Sequence, residues 1–275
     1  MKQNIEVSGG GYLLTKLEMT LEAEASLSYQ MGSLFHGALM ELLTEEEAAL
    51  LHQSRLHPYA QHLEFSNTQA KWVVTTLNQE AADQIIYNKL MSLKEFCLKK
   101  QALKIRVLEK HLTECSDKSL ISLLYASEPK KYIQLHFITP TAFKQNGRVI
   151  FYPEIRGMYI SLLNKYAAAA EQTENKDEET LAELCSHTEL IRYDLKSVPF
   201  HLEGVRMNAF IGKITLKLSG TRTMQNFANL LFRFGTYSGI GIKTALGMGA
   251  YQIIEEREAR RDRKTDQADG RSATA

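Results

Sequence analysis

The chain has 275 residues, of which 44% are hydrophobic and 24% are charged, and its formal net charge is +1. This composition is typical of a globular protein with a buried core, and the low net charge excludes a protein whose whole surface attracts nucleic acid. Cys97, Cys115 and Cys185 form no Cys-x-x-Cys pair, and the sequence has neither a secretory signal nor an apolar run that could span a bilayer. We therefore expect a cytoplasmic protein without a metal, a cofactor or a membrane partner.

Apolar periodicity predicts six elements in the first half of the chain. They are a strand over 12–22, a helix over 29–43 continued by a short helix ending near His52, a hairpin over 63–77, a helix over 80–93 and a strand over 103–112. Thr44 followed by three glutamates predicts a capping box at the start of the short helix. The order β-α-β-β-α-β is the ferredoxin-like plan.

The second half repeats this order. We predict a strand over 132–139 with a break at 139–143, a helix from about Pro153 to Ala170, a hairpin over 191–219 that turns at Gly204, a helix over 223–234 and a strand over 250–255. The predicted fold is α+β, with two tandem ferredoxin-like (RRM-like) domains over 1–125 and 126–255. Residues 256–275 are rich in charged and small residues and are predicted to be a disordered tail.

A glycine-rich loop lies between the last predicted helix and the last predicted strand. Gly239-x-Gly241 and Gly247-x-Gly249 flank Lys243 and Thr244. Glycine leaves backbone N–H groups uncovered and tolerates positive φ, so such a loop can fold around an anion, with the lysine as the counter-charge. The loop follows a helix and precedes a strand, which is the reverse of the order in a P-loop or a dinucleotide-binding turn. The anion we expect at such a loop is the phosphate of a nucleotide or of RNA.

With these elements placed, the chain resembles the Cas6 family of CRISPR RNA-processing endoribonucleases, which are built from two ferredoxin-like domains. Four stretches carry the resemblance. They are the loop from Gly239 to Gly249, the segment Phe137-Ile-Thr-Pro-Thr-Ala-Phe143, the helix sequence Tyr29-Gln-Met-Gly-Ser-Leu-Phe-His-Gly-Ala-Leu39 and the segment Leu51-His-Gln-Ser-Arg-Leu-His-Pro-Tyr59.

The resemblance implies metal-independent cleavage of CRISPR repeat RNA by attack of a 2′-hydroxyl, which leaves a 2′,3′-cyclic phosphate and a 5′-hydroxyl. Family members take their catalytic groups from the first helix and the segment after it. On this chain those positions are His36 and His52, with Tyr29 as the reserve candidate. A lysine that some members carry further on would fall near His57, so this sequence departs from the pattern, and His57 or Arg55 could fill that role.

Helical geometry places His36 at about 140° from Met31 around the helix axis, which is the edge of the apolar stripe. The structural alternative for His36 is a histidine at the rim of a core helix. For His52 it is a histidine that the dipole of a helix C-terminus favours.

The predicted RNA-binding residues lie in or beside the glycine-rich loop. They are Lys243, Thr244, Gly239, Gly241, Gly247, Gly249 and Arg233, and Arg233 is expected to be exposed beside the loop. A non-catalytic RNA-binding subunit of a CRISPR effector complex is the alternative function. Other effector subunits and a second copy of the chain are the further partners considered.

Overall fold

The computed structural model describes residues 13–53, 56–66, 69–125, 128–170, 178–202 and 204–254. The boundary proposed between the two domains, at residue 126, and the predicted tail at 256–275 lie outside these residues. Within the described chain, no helix has both the length and the apolar content needed to cross a membrane.

The first half forms a five-stranded antiparallel sheet in the order β2-β3-β1-β5-β4. Its strands are β1 (Leu13–Ala23), β2 (Tyr59–Ser66), β3 (Gln69–Thr76), β4 (Glu95–Leu98) and β5 (Leu103–Ser116). Helices α1 (Gly32–Leu42) and α2 (Glu45–Gln53) connect β1 to β2, and the short turn Tyr29–Met31 leads into α1. Helix α3 connects β3 to β4; it begins as the turn Gln79–Ala81 and continues as the π-helical stretch Ala82–Leu90. Without its edge strand β4, the sheet has the ferredoxin-like strand order.

The second half forms a four-stranded antiparallel sheet in the order β11-β6-β10-β9. Its strands are β6 (Tyr132–Thr141), β9 (Thr188–Leu202), β10 (Val205–Leu218) and β11 (Tyr251–Ile254). Between β6 and β9 lie the small hairpin β7 (Phe143–Gln145) and β8 (Arg148–Ile150) and the helices α5 (Ile155–Ala169) and α6 (Glu178–Ser186). Helix α7 (Arg222–Ser238) precedes the glycine-rich loop. The α+β fold with two tandem ferredoxin-like units is confirmed.

The structure differs from the predicted elements in several places. β4, the hairpin β7–β8 and α4 (Asp117–Tyr125) were not predicted, and a helix after the polar segment 171–179 was expected without bounds where α6 lies. The break predicted over 139–143 is wrong in part, because β6 continues through Pro140 to Thr141 and is paired there with β10 across a register shift. Thr221, one residue before α7, is the N-cap, and its Oγ1 accepts a hydrogen bond from the backbone N–H of Met224 at 3.2 Å. The predicted capping box is confirmed, since Thr44 and Glu47 bond each other's backbone N–H.

One of the apolar clusters extends across both halves of the chain. Leu14, Leu77 and Leu120 from the first half pack in the same cluster as the buried faces of α5, α7 and the second sheet. Two polar contacts add to this interface: Thr75 Oγ1 donates to the carbonyl of Tyr237 at 2.5 Å, and Lys16 Nζ lies 5.0 Å from the centre of the Tyr237 ring. The glycine-rich loop that follows α7 is therefore held against the first sheet as well as the second.

Candidate active site and glycine-rich loop

His36 lies on α1 and contacts a buried tyrosine at the start of β2. Its Nε2 is 3.0 Å from the Tyr59 hydroxyl, and the two rings are nearly parallel with centroids 6.3 Å apart. Tyr59 is 1% exposed. Burial raises the pKa of the Tyr59 phenol, so the group keeps its proton near neutral pH. The buried hydroxyl therefore orients the half-buried imidazole of His36 by a hydrogen bond.

His57 also lies beside Tyr59. Its ring centre is 5.6 Å from that of Tyr59, and its Nδ1 is 3.0 Å from the backbone oxygen of Leu51 at the end of α2. A carbonyl oxygen can only accept, so Nδ1 carries the proton of the neutral ring, which makes Nε2 its basic nitrogen. Two imidazoles thus lie beside one buried phenol.

The structure gives less information on the other predicted catalytic residues. His52 lies in the last turn of α2, and its side chain is outside the described part of the chain, as is Arg55. Tyr29 is half-buried in the turn that precedes α1. An unbroken α-helix would put Tyr29, seven residues before His36, on the same face as His36. The turn is instead a 3₁₀ helix with about three residues per turn, so this spacing does not apply across it. The roles of His36, His52 and Tyr29 stay predictions.

The glycine-rich loop has an unusual backbone. Positive φ values occur at Gly239, Gly241, Lys243, Gly247 and Gly249. At Gly241 only glycine fits, because its φ is +80° and an added Cβ would lie 2.2 Å from the carbonyl oxygen of Ala142. The loop therefore packs directly on the segment that follows β6.

Open N–H groups were the reason for expecting these glycines at a phosphate, but the backbone N–H groups of Gly241 and Gly249 donate within the protein. Several N–H groups of the loop do so at 2.8–3.0 Å: Ile240 donates to Gly249, Gly241 to Ser161 Oγ, Ile242 to Ala142, Gly249 to Pro140 and Ala250 to Thr139 Oγ1. Gly239, Gly247 and Gly249 are buried and Gly241 is half-buried. RNA contact by these four glycines stays a prediction, and their observed packing indicates that they shape the loop.

A buried lysine from α5 holds the start of the loop. Lys165 is 7% exposed, and its Nζ donates to the carbonyl oxygens of Ser238 and Gly239 at 3.1 Å and to Thr244 Oγ1 at 3.2 Å. Burial lowers the pKa of this ammonium to about 7. Ser238 is the last residue of α7 and Gly239 is its C-cap, so the ammonium lies at the end of the helix where the helix dipole favours a cation. No role was predicted for Lys165, and a lysine within a helical stripe gives no sequence signal of its burial.

Lys243 is the one exposed residue between Gly239 and Ala250, a stretch that the structure describes completely. Thr244 is half-buried, and its hydroxyl accepts the bond from Lys165. Arg233 is half-buried on α7, so its expected exposure is wrong. RNA contact by Lys243, Thr244 and Arg233 stays a prediction, and Lys243 has the geometry most open to a phosphate.

The loop also touches α1 near the histidine site. Gln61 on β2 is 1% exposed, and its Nε2 donates to the carbonyls of Gly32 at 2.8 Å and of Ala245 at 3.0 Å. Its Oε1 accepts from Trp72 Nε1 at 2.9 Å. Gly32 is the first residue of α1, which carries His36 one turn later. Neither Gln61 nor Tyr59 was predicted for the site, because both look like ordinary residues of an alternating strand.

Across the described residues, no three His, Cys, Asp or Glu side chains are grouped so that they could hold a metal ion. The chemistry that the described groups offer is proton transfer by imidazole, with a lysine at the neighbouring loop.

Comparisons with known proteins agree with this architecture. The model of the family described as CRISPR-associated endoribonuclease Cas6 matches residues 135–251. The chain is 31% identical over 245 residues to CRISPR-associated endoribonuclease Cas6 of Streptococcus thermophilus, covering 89% of this chain and 100% of the relative. The Mycobacterium tuberculosis protein of the same name is 32% identical over 247 residues, which is 87% of this chain and 78% of the relative.

Solved structures show the same fold at lower identity. A Cas6 product complex superposes with a TM-score of 0.74 at 24% identity, covering 88% of this chain and all of the other. Thermus thermophilus Cas6 superposes with a TM-score of 0.66 at 21% identity, covering 90% of this chain and all of the other. Because one relative aligns over its entire length at 31% identity and the tandem ferredoxin-like fold agrees, the chain belongs to the Cas6 family of CRISPR-associated endoribonucleases.

Proposed function

We propose that this endoribonuclease cuts CRISPR repeat RNA in precursor transcripts by attack of a 2′-hydroxyl on the adjacent phosphate, without a metal ion. The 2′-oxygen–phosphorus bond forms as the bond from phosphorus to the 5′-oxygen breaks, leaving a 2′,3′-cyclic phosphate and a 5′-hydroxyl. A base takes the 2′ proton and an acid gives a proton to the leaving 5′-oxygen. The membership of the Cas6 family supports the substrate class, and a Cas6 with this fold has been solved as a product complex.

The observation that carries the mechanism is the pair of imidazoles on Tyr59. His36 is oriented by the buried hydroxyl at 3.0 Å, and His57 by the Leu51 carbonyl at 3.0 Å. We assign His36 as one of the two proton-transfer groups, with His52 as its predicted partner. His57, in its protonated form, supplies a cation for the charged phosphate. Lys243 on the glycine-rich loop holds a phosphate of the substrate.

The test incubates the purified protein with its host's repeat RNA in excess EDTA, with the enzyme in excess over the RNA. We expect cleavage, and mass spectrometry should find the upstream product lighter by one water than a 3′-phosphate. His36→Ala should lower the single-turnover rate by about 100-fold or more, because it removes a general acid–base group, while the Kd for RNA stays close to that of the wild type.

The absence of cleavage in EDTA would contradict the proposal and favour the alternative, a non-catalytic RNA-binding subunit of an effector complex. An unchanged rate in His36→Ala would move the assignment to His52 and Tyr29. Association with effector subunits and formation of a homodimer stay predictions, which light scattering of the protein alone and with those subunits would check.

A further inference from the structure

The beginning of α1 is in close contact with the glycine-rich loop. A Cβ added to Gly32 would lie 2.4 Å from the carbonyl oxygen of Leu246, and one added to Gly247 would lie 2.9 Å from the Cα of Gly32. Backbone therefore meets backbone here, without an intervening side chain, so a shift of the loop must move the first turn of α1.

Gln61 joins the same two segments. One amide nitrogen donates to both Gly32 and Ala245, so the single side chain fixes the distance between α1 and the loop. Trp72 donates to the amide oxygen, which fixes the amide with its nitrogen toward the two carbonyls. The three bonds are 2.8–3.0 Å long, and both Gln61 and Trp72 are buried.

A second amide holds the residues just before α1. Gln30 Nε2 donates to the carbonyl of Pro199 at 2.6 Å, and its Oε1 accepts from the backbone N–H of His201 at 3.0 Å, both on β9. The N-terminal end of the helix that carries His36 is thus attached to the second sheet as well as to the loop.

We propose that Gln61 is a positioning residue, which holds α1 against the glycine-rich loop and so places the imidazole of His36 relative to the RNA bound by that loop. The inference rests on the proposed role of His36. The loop then serves the cleavage step and not only affinity, because the position of the proton-transfer group depends on it. A displacement of about 1 Å at a catalytic group can cost on the order of 100-fold in rate.

The experiment measures the single-turnover cleavage rate at saturating enzyme and, separately, the Kd for an RNA whose 2′-hydroxyl at the cleavage site is replaced by hydrogen. Gln61→Met keeps the length of the side chain and removes the bridging donors. We expect its rate to fall by about 10- to 100-fold, while the Kd changes by less than about threefold, because Lys243 still meets the phosphate. Ile85→Val is the structural control: it loosens the same apolar core but keeps all three hydrogen bonds of the Gln61 amide, so its rate should stay close to that of the wild type.

Gly32→Ala tests the contact from the other side and does not depend on whether Gln61→Met folds. The backbone of Gly32 is ordinary α-helix, so the added methyl group is not strained by φ; it would press on the loop backbone, 2.4 Å from the carbonyl oxygen of Leu246 and 3.0 Å from the Cα of Gly247. Gly37→Ala on the same helix is the matched control, because its Cβ meets nothing within 4 Å. We expect the rate to fall in Gly32→Ala and to be retained in Gly37→Ala.

Wild-type rates in both Gln61→Met and Gly32→Ala, beside a loss of cleavage in His36→Ala, would overturn the positioning role and leave the proposed function intact. An equal loss of rate in Gln61→Met and Ile85→Val would also overturn it, since a general loosening of the core would then explain both. An unchanged rate in His36→Ala would overturn the positioning role together with the catalytic assignment.

Discussion

Replacement of Lys165 by methionine tests what holds the glycine-rich loop. The ammonium is buried and donates to Ser238, Gly239 and Thr244. Its removal leaves three acceptors without this donor, at about 1 kcal/mol each or more. It also relieves the cost of burying the charge: one pH unit of pKa displacement corresponds to about 1.4 kcal/mol, and burial lowers the pKa of Lys165 from 10.5 to about 7. The two effects are of similar size at pH 7, so the pH dependence is the informative quantity.

The sign follows from proton binding. Between about pH 7 and 10.5 the unfolded chain holds a proton on Lys165 that the folded chain has lost, so the stability of the wild type rises with pH in this window. We expect the free energy of unfolding of the wild type to gain about 1 kcal/mol between pH 7 and 8, and slightly more between pH 8 and 9, relative to Lys165→Met.

Urea unfolding of both proteins at pH 7, 8 and 9 gives this difference directly. Lys144→Met, which replaces an exposed lysine on β7, is the control and should follow the wild type at each pH. Parallel pH dependences of the wild type and Lys165→Met would refute the reasoning, because they would mean that burial does not displace the pKa of this lysine.

Three further substitutions test the site and the fold. Lys243→Ala should weaken RNA binding and make the slope of log association constant against log salt concentration less steep by about 0.7 to 0.9, the contribution of one phosphate contact. An unchanged slope would exclude that contact. Tyr59→Phe keeps the buried ring but removes the hydroxyl beside His36, so the single-turnover rate should fall by about 10-fold with little change in Kd; a wild-type rate would show that the hydrogen bond does not orient the imidazole. Thr221→Ala should lower the free energy of unfolding by about 1 kcal/mol because the N-cap bond of α7 is lost, and Thr223→Ala should lower it clearly less. Urea unfolding of the two variants measures both values, and a larger loss in Thr223→Ala would contradict the N-cap assignment.

Local signals in the sequence were sufficient for most of the fold. The helical stripe over 29–43 and the hairpin around Gly204 report burial on one face of an element, and they led to α1 and to β9–β10. The short elements β4, β7 and β8 were missed because three or four residues carry too little periodicity to distinguish a strand from a loop. Thr44 and Glu47 were found as a capping box because that bond forms between residues three apart.

In the candidate site, too, residues with local sequence signals were found and residues that depend on long-range contacts were missed. His36 was selected from its position at the edge of an apolar stripe and from the family resemblance, and both depend on neighbours along the chain. Tyr59 is 23 residues away from His36, and its hydroxyl reaches the imidazole only because β2 packs beside α1. Gln61 and Lys165 reach partners 184 and 79 residues away, so no local pattern could reveal them.

The sequence by itself determined the two ferredoxin-like units, the family and the existence of a helix–glycine loop–strand unit, because these depend on local periodicity and on glycine's access to positive φ. The tertiary structure alone decided what the glycine loop does with its backbone. Several of its N–H groups donate within the protein, a buried lysine holds its start, and its glycines allow it to lie against the first turn of the helix that carries His36. Close approach between distant segments depends on how two packed sheets fix their positions in space, and that information is absent from any one stretch of the chain.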